Sequence, residues 1–177
     1  MIVTLSEAGI KDAVQRIKVL QDNIEVASQN AVERLVEKGF NLATAYNTNA
    51  PQSGLEKSRV IAKVTKSGHN GYIALTGPNA VYDEFGTGEQ GAGDPHPMKG
   101  QFGLNPYNSG PTIFYNEFAG RYQWRYYPMK GRPYFTEDGY TEGIPSGKQM
   151  YNTAKDLRAV KNEIVIREIE NAVKRFR

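Results

Sequence analysis

The sequence predicts an α+β fold with a long N-terminal helix, an antiparallel sheet carrying extended β-hairpins, and a C-terminal helix. Three observations predict it. Apolar residues recur at helical spacing near both ends of the 177-residue chain. Between them lie two pairs of β-branched or aromatic runs, each pair flanking a turn-rich segment. A Gly/Pro-rich stretch at about 88–111 separates the pairs and reads as a loop insertion within one domain spanning 1–177.

The first helix is expected over about Ser6 to Tyr46. Ile10, Val14, Ile17, Leu20, Ile24, Ala27, Ala31, Leu35 and Leu42 fall at steps of three, four or seven, on one face. Ser6 is the candidate N-cap, and Pro51 ends the segment by biasing its predecessor away from helix. The helix is much longer than the usual 11–12 residues or so. It reads either as a spine or subunit-packing element, or as two helices broken near Gln21 to Asn23. The first hairpin pairs Arg59–Thr65 with Tyr72–Thr76, with Asn70-Gly71 as candidates for positive φ in the turn. Ala80 to Phe85 reads as a short helical turn stopped by Gly86. The second hairpin, Thr112–Phe118 with Arg121–Tyr127, puts Tyr122, Trp124 and Tyr126 on one strand face. The closing helix runs from Gln149 to Phe176, with Ser146 as candidate cap.

Composition excludes several chemistries. There is no cysteine and there are only two histidines, so disulfides, zinc–cysteine sites, iron–sulfur clusters and a cysteine nucleophile are ruled out. No apolar run has the roughly 18 residues a membrane span needs. The start, Met1-Ile2-Val3-Thr4-Leu5, shows no signal-peptide pattern, so a cytoplasmic site of synthesis and no membrane partner are expected. Gly86-Thr87-Gly88 lacks the Gly-Lys-Ser/Thr of a phosphate-binding loop, and Gly91 opens no helix. Asp83, Glu84, Asp94 and His96 offer a metal cluster of the nuclease type, but neighbouring Asp83 and Glu84 diverge by about 100° on a helix. They read instead as capping and solvated surface. His69 reads as a turn residue. No cofactor is expected.

Net charge is +3, and from Lys148 to Arg177 eight Lys or Arg stand against four acids. The excess sits at the C-terminal tip, where Arg175 and Arg177 are candidates for contact with DNA. The aromatic strand, flanked by Arg121 and Arg125, reads as a protein contact ahead of a base-stacking surface. Together the ribbon and the basic helix make a nucleic-acid-binding module the alternative reading.

Two motifs carry a resemblance. The first is Ala80-Val81-Tyr82-Asp83-Glu84-Phe85-Gly86-Thr87-Gly88, followed by the Gly-rich segment from Gly91 to Pro97. The second is Gly143-Ile144-Pro145-Ser146-Gly147-Lys148-Gln149-Met150-Tyr151-Asn152-Thr153-Ala154 and on to Leu157. In order and spacing the chain resembles the tailed-bacteriophage neck and tail-completion (head–tail connector) proteins related to the HK97 gene 10 product. It departs at Lys148 and Gln149, where that family usually has Pro-Phe. The resemblance spans about Leu5 to the end and implies a structural role rather than an enzyme. It implies a cyclic homo-oligomer of six or twelve subunits at the head–tail junction of the virion, assembled in the bacterial host cytoplasm. Implied neighbours are head-closure and tail-terminator or tail-tube proteins, with non-specific contact to genomic DNA in the channel. The expected motif and interface residues are Tyr82, Glu84, Phe85, Gly86, Thr87, Tyr122, Trp124, Tyr126, Pro145, Met150 and Tyr151.

Overall fold

The computed structural model describes residues 6–51, 58–86, 93–98, 113–116, 121–124 and 144–176. The order is α1 (Glu7–Asn49), β1 (Arg59–Val64), β2 (Gly71–Thr76), α2 (Ala80–Phe85), β3 (Ile113–Asn116), β4 (Arg121–Trp124) and α3 (Gln149–Phe176). The fold is α+β, as the sequence predicts. α1 is one unbroken helix of 43 residues, without the break considered near Gln21 to Asn23. Ser6 caps it, its Oγ accepting the Gly9 N–H at 3.1 Å.

β1 and β2 form one two-stranded sheet, β3 and β4 another. In the second, the strands run antiparallel and the register sets Ile113 opposite Trp124 and Tyr115 opposite Tyr122. Tyr126 lies outside the described residues. In the first hairpin's turn the Thr65 N–H donates to the Asn70 carbonyl (2.8 Å) and the Gly68 N–H to the Thr65 carbonyl (2.9 Å). The left-handed residue is Gly68, at φ 73°, rather than Asn70 or Gly71. The connection has room for a tight turn inside it, so positive φ is needed at the inner turn and not beside the strand.

The chain gathers into two compact units. One holds residues 1–39, 62–72 and 155–177; the other holds 40–61 and 73–154. In the first, Ala27 and Ala31 of α1 and Ala172 of α3 are buried. The hairpin tip is tied to α1 by Gln29 Nε2 donating to the Ser67 carbonyl (3.3 Å) and by His69 Nε2 lying 3.4 Å from Glu25 Oε1. Arg34 Nε stands 2.8 Å from Oε1 of buried Glu168 on α3. In the second unit Ala43 and Phe85 are buried among polar groups. The buried hydrophobic residues among those described are therefore four alanines and one phenylalanine.

Arg34→Ala removes the charge beside a carboxylate that is nearly out of water. We expect a loss of about 1–3 kcal/mol in urea unfolding, with Glu168→Gln in the same chain restoring part of it.

Candidate functional site

The second unit is organised around Glu84, in the middle of the first motif. α2 is a six-residue helix that ends at Gly86, whose N–H donates to the Tyr82 carbonyl at 2.8 Å. Gly86 has φ 75°, and a Cβ there would sit 2.6 Å from the Ser146 nitrogen and 2.8 Å from the Ile144 carbonyl oxygen. Only glycine permits both the left-handed backbone and that approach. The segment 144–148 thus lies directly against the end of α2. Gly147 N–H donates to the Asp83 carbonyl (2.9 Å), and Lys148 N–H and Ser146 Oγ both donate to the Glu84 carbonyl (3.1 and 2.9 Å).

The Glu84 side chain then reaches the start of α3. Its Oε2 accepts the Met150 N–H at 2.8 Å and its Oε1 the Tyr151 N–H at 3.0 Å. These are among the first N–H groups of the helix, which have no partner within it. α3 carries no acid in its own first turn, so a carboxylate from α2 takes that place at the positive end of the helix dipole. In the amide orientation that satisfies its surroundings, Gln149 donates to Glu84 Oε2 (3.0 Å) and to the Asp83 carbonyl (3.2 Å). Sequence reading assigned the cap to Ser146. The structure assigns it to Glu84, because the Ser146 hydroxyl is already committed to the Glu84 carbonyl.

His96 closes the site from the other side. It is buried, with its ring centroid 4.3 Å from Phe85 and 5.4 Å, edge-on, from Tyr151. Its Nδ1 accepts the Met98 N–H at 3.0 Å, so Nε2 is the nitrogen that carries the proton toward Glu84 Oε1, also at 3.0 Å. Four donors therefore converge on one buried carboxylate, which fits its ionised, acceptor-only form.

Asp83 turns the other way. Its Oδ2 accepts the hydroxyl proton of Ser58, whose carbonyl accepts the Asn47 side-chain amide at 2.7 Å. This links the end of α1, the start of β1, α2 and the start of α3. The divergence of Asp83 and Glu84 expected from helix geometry is observed, but both are buried rather than solvated. Asp94 is exposed and pairs with Lys148 Nζ. The four residues considered as a metal cluster thus fall into three separate pairings, Asp83 with Ser58, Asp94 with Lys148, and Glu84 with His96. Among the described residues no group of three or more His, Asp or Glu is placed to hold a metal ion. Ser58 donates to Asp83 rather than to His96, so these residues do not line up as a nucleophile relay.

Of the residues singled out from sequence, Glu84, Phe85, Gly86, Pro145, Met150 and Tyr151 meet here, with Tyr82 half-buried at the edge. Thr87 and Arg177 lie outside the described residues, and Tyr122 and Trp124 are placed by backbone register alone. Arg175 belongs to the other unit, where it is exposed beside a small cavity lined also by Asn23, Asn30 and Asn171. Sequence reading missed Gly147, Gln149, Ser58 and Asn47 as members of the site. The Pro-Phe departure marks two positions here. Lys148 has φ 53° and donates its N–H to Glu84, neither of which a proline permits. Gln149, fully buried, supplies hydrogen bonds a phenylalanine lacks.

Among the described residues no helix is long and apolar enough to cross a membrane. No family model, no curated protein and no solved structure matches this chain.

Two outcomes follow from the geometry. Glu84→Ala leaves two helix N–H groups and the Gln149 amide without their acceptor, and is expected to lower unfolding free energy by about 3 kcal/mol in a urea titration. Lys148→Gly relieves a left-handed backbone but also loses the ion pair with Asp94 and the packing of a lysine side chain that is only 21% exposed. The two offset each other, and a net change smaller than about 1 kcal/mol is expected in the same assay.

Proposed function

We propose that the chain is a structural protein of a tailed-phage virion, part of the connector between head and tail, acting by assembly into a ring rather than by catalysis. One observation carries this reading. The two motifs on which the resemblance rests, 82–86 and 144–151, are some sixty residues apart in sequence, and they form a single hydrogen-bonded clamp. A chance likeness of two short motifs gives no reason for them to meet. The polar groups of the clamp are occupied in holding backbone, which suits a part that must keep its shape.

The assembly half of the reading has separate support. The described core is small, while Ile10, Val14, Ile17, Ile24, Ile166 and Ile169 are exposed. Exposed apolar surface on this scale is what subunits bury against each other. A ring multiplies the net charge of +3 per subunit around its channel, which favours non-specific contact with duplex DNA backbone.

The test is electron microscopy of particles from a prophage lacking this gene. DNA-filled heads beside unattached tails are the expected outcome. Intact, infectious particles would remove the reading. The purified chain would then be assayed for salt-dependent DNA binding, the mark of a nucleic-acid-binding module.

A further inference from the structure

Asn70-Gly71 is the one Asn-Gly dipeptide in the chain, and it stands where the first hairpin's turn enters β2. Positive φ does not account for the glycine, since Gly68 supplies that. Packing does. A Cβ on Gly71 would lie 2.3 Å from Val36 Cγ2 on α1 and 3.2 Å from the Lys63 carbonyl oxygen. The hairpin lies this close to α1 only with glycine at 71. Both residues of the dipeptide are nevertheless exposed to water. The direction of the Gly71 amide follows from the turn. The Asn70 carbonyl accepts the Thr65 N–H across the hairpin at 2.8 Å. That carbonyl and the Gly71 N–H belong to one trans peptide unit, in which the two point opposite ways. The Gly71 N–H is therefore turned away from β1 and takes no part in closing the turn.

We infer that Asn70 is a site of spontaneous deamidation, and that the isoaspartyl product releases the hairpin tip from α1. The Gly71 nitrogen, on losing its proton to the buffer, attacks Cγ of the Asn70 side chain. The N–Cγ bond forms, the Cγ–Nδ2 bond breaks, and Nδ2 takes a proton from water and leaves as ammonia. The product is a five-membered succinimide. Water then opens the ring in one of two ways. Addition at Cγ breaks the new bond and gives aspartate with the backbone unchanged. Addition at the Asn70 main-chain carbonyl carbon breaks its bond to the Gly71 nitrogen, and the chain then runs through Cβ and Cγ. Overall one water is consumed and one ammonia released, and nothing is oxidised or reduced. Glycine leaves the attacking nitrogen unhindered, whereas every other asparagine here is followed by a residue with a Cβ.

In the isoaspartyl chain the carbonyl that accepted the Thr65 N–H is no longer part of the main chain. The strand beyond it is set back by one methylene, about 1.5 Å. Keeping the closing bond of the turn then pulls Gly71 away from Val36. The contacts that tie the tip to α1, Gln29 with the Ser67 carbonyl and His69 with Glu25, lie in the same turn and are exposed, so they resist little. Either product also adds one negative charge to a chain of net charge +3. The glycine that packing requires is thus the residue that opens the chain to the reaction. The inference stands apart from the virion reading.

The test ages the folded, full-length chain for several days in warm, mildly alkaline buffer, then digests it and weighs the peptides. The peptide holding Asn70 should shift to the mass of the aspartate form and split into two chromatographic peaks, aspartate and isoaspartate. Peptides holding Asn23, Asn30 and Asn171 should keep their masses. Hydroxylamine, which cleaves a succinimide, should split part of the aged chain between residues 70 and 71. Asn70→Gln should remove both signals, because glutamine closes a larger ring far more slowly. Hydrogen exchange on the isoaspartyl fraction should show lost protection at the Thr65 and Gly68 amides, with α3 unchanged. A parallel incubation in guanidinium gives the rate without the fold. A folded chain that keeps Asn70 intact while the unfolded chain loses half of it overturns the site. Faster loss at other asparagines overturns it as well. Unchanged protection at Thr65 and Gly68 in the isoaspartyl fraction overturns the release.

Discussion

The second unit depends on one carboxylate. Glu84 is buried, and it is held by backbone N–H groups, a glutamine amide and an imidazole rather than by a lysine or arginine. Desolvating a charge is costly unless its acceptor sites are filled and the local field is favourable. The start of α3 meets both needs, because its free N–H groups and its dipole point at the same place. The geometry around it follows from bringing Glu84 there. Gly147 passes so close to Asp83 that a Cβ would lie 2.5 Å from its carbonyl oxygen. Lys148 turns left-handed so that the chain can enter the helix while its N–H still reaches the Glu84 carbonyl.

The two units solve burial differently. The second is held by directional bonds, with Ser58, Asp83, Glu84, His96, Ser146, Gln149 and Thr153 all buried. Directional networks fix one arrangement, and each member raises the penalty for losing another. Among the described residues the first unit fully buries only small apolar side chains on its helices, keeps Val32, Leu35, Leu157 and Ile164 half-buried, and leaves Ile10, Ile17 and Ile166 exposed. Alanine permits close helix approach but removes little apolar area from water.

The helices and hairpins were legible in the sequence because their signals are periodic and local. The helical spacing of Ile10 through Leu42, the β-branched runs on either side of Gly68, and the stop at Gly86 each depend on residues a few positions apart. The site was half legible. Glu84, Phe85 and Gly86 stood out through a resemblance, and a capping role for Glu84 was readable as one option. Which helix it caps was not, since its partners Met150 and Tyr151 are more than sixty residues away. The same distance hid Gln149 and Gly147, whose roles exist only once α2 lies against them. His96 was misleading for a related reason. A histidine among Gly and Pro residues reads as exposed loop, and only the ring of Phe85 and the carboxylate of Glu84 make its burial favourable. The periodicity of α1 was read correctly as a stripe, but pattern alone does not say whether a stripe faces the chain's own core.

The contact between Gly86 and residues 144–146 also bears on how this chain tolerates change. It places the exit and the return of the intervening segment side by side, and the clamp holds both ends whatever joins them. The entropy of closing a loop grows only with the logarithm of its length, about 0.6 kcal/mol for each doubling. Because its two ends are held side by side, loop-closure entropy sets only a weak limit on the length of the intervening segment.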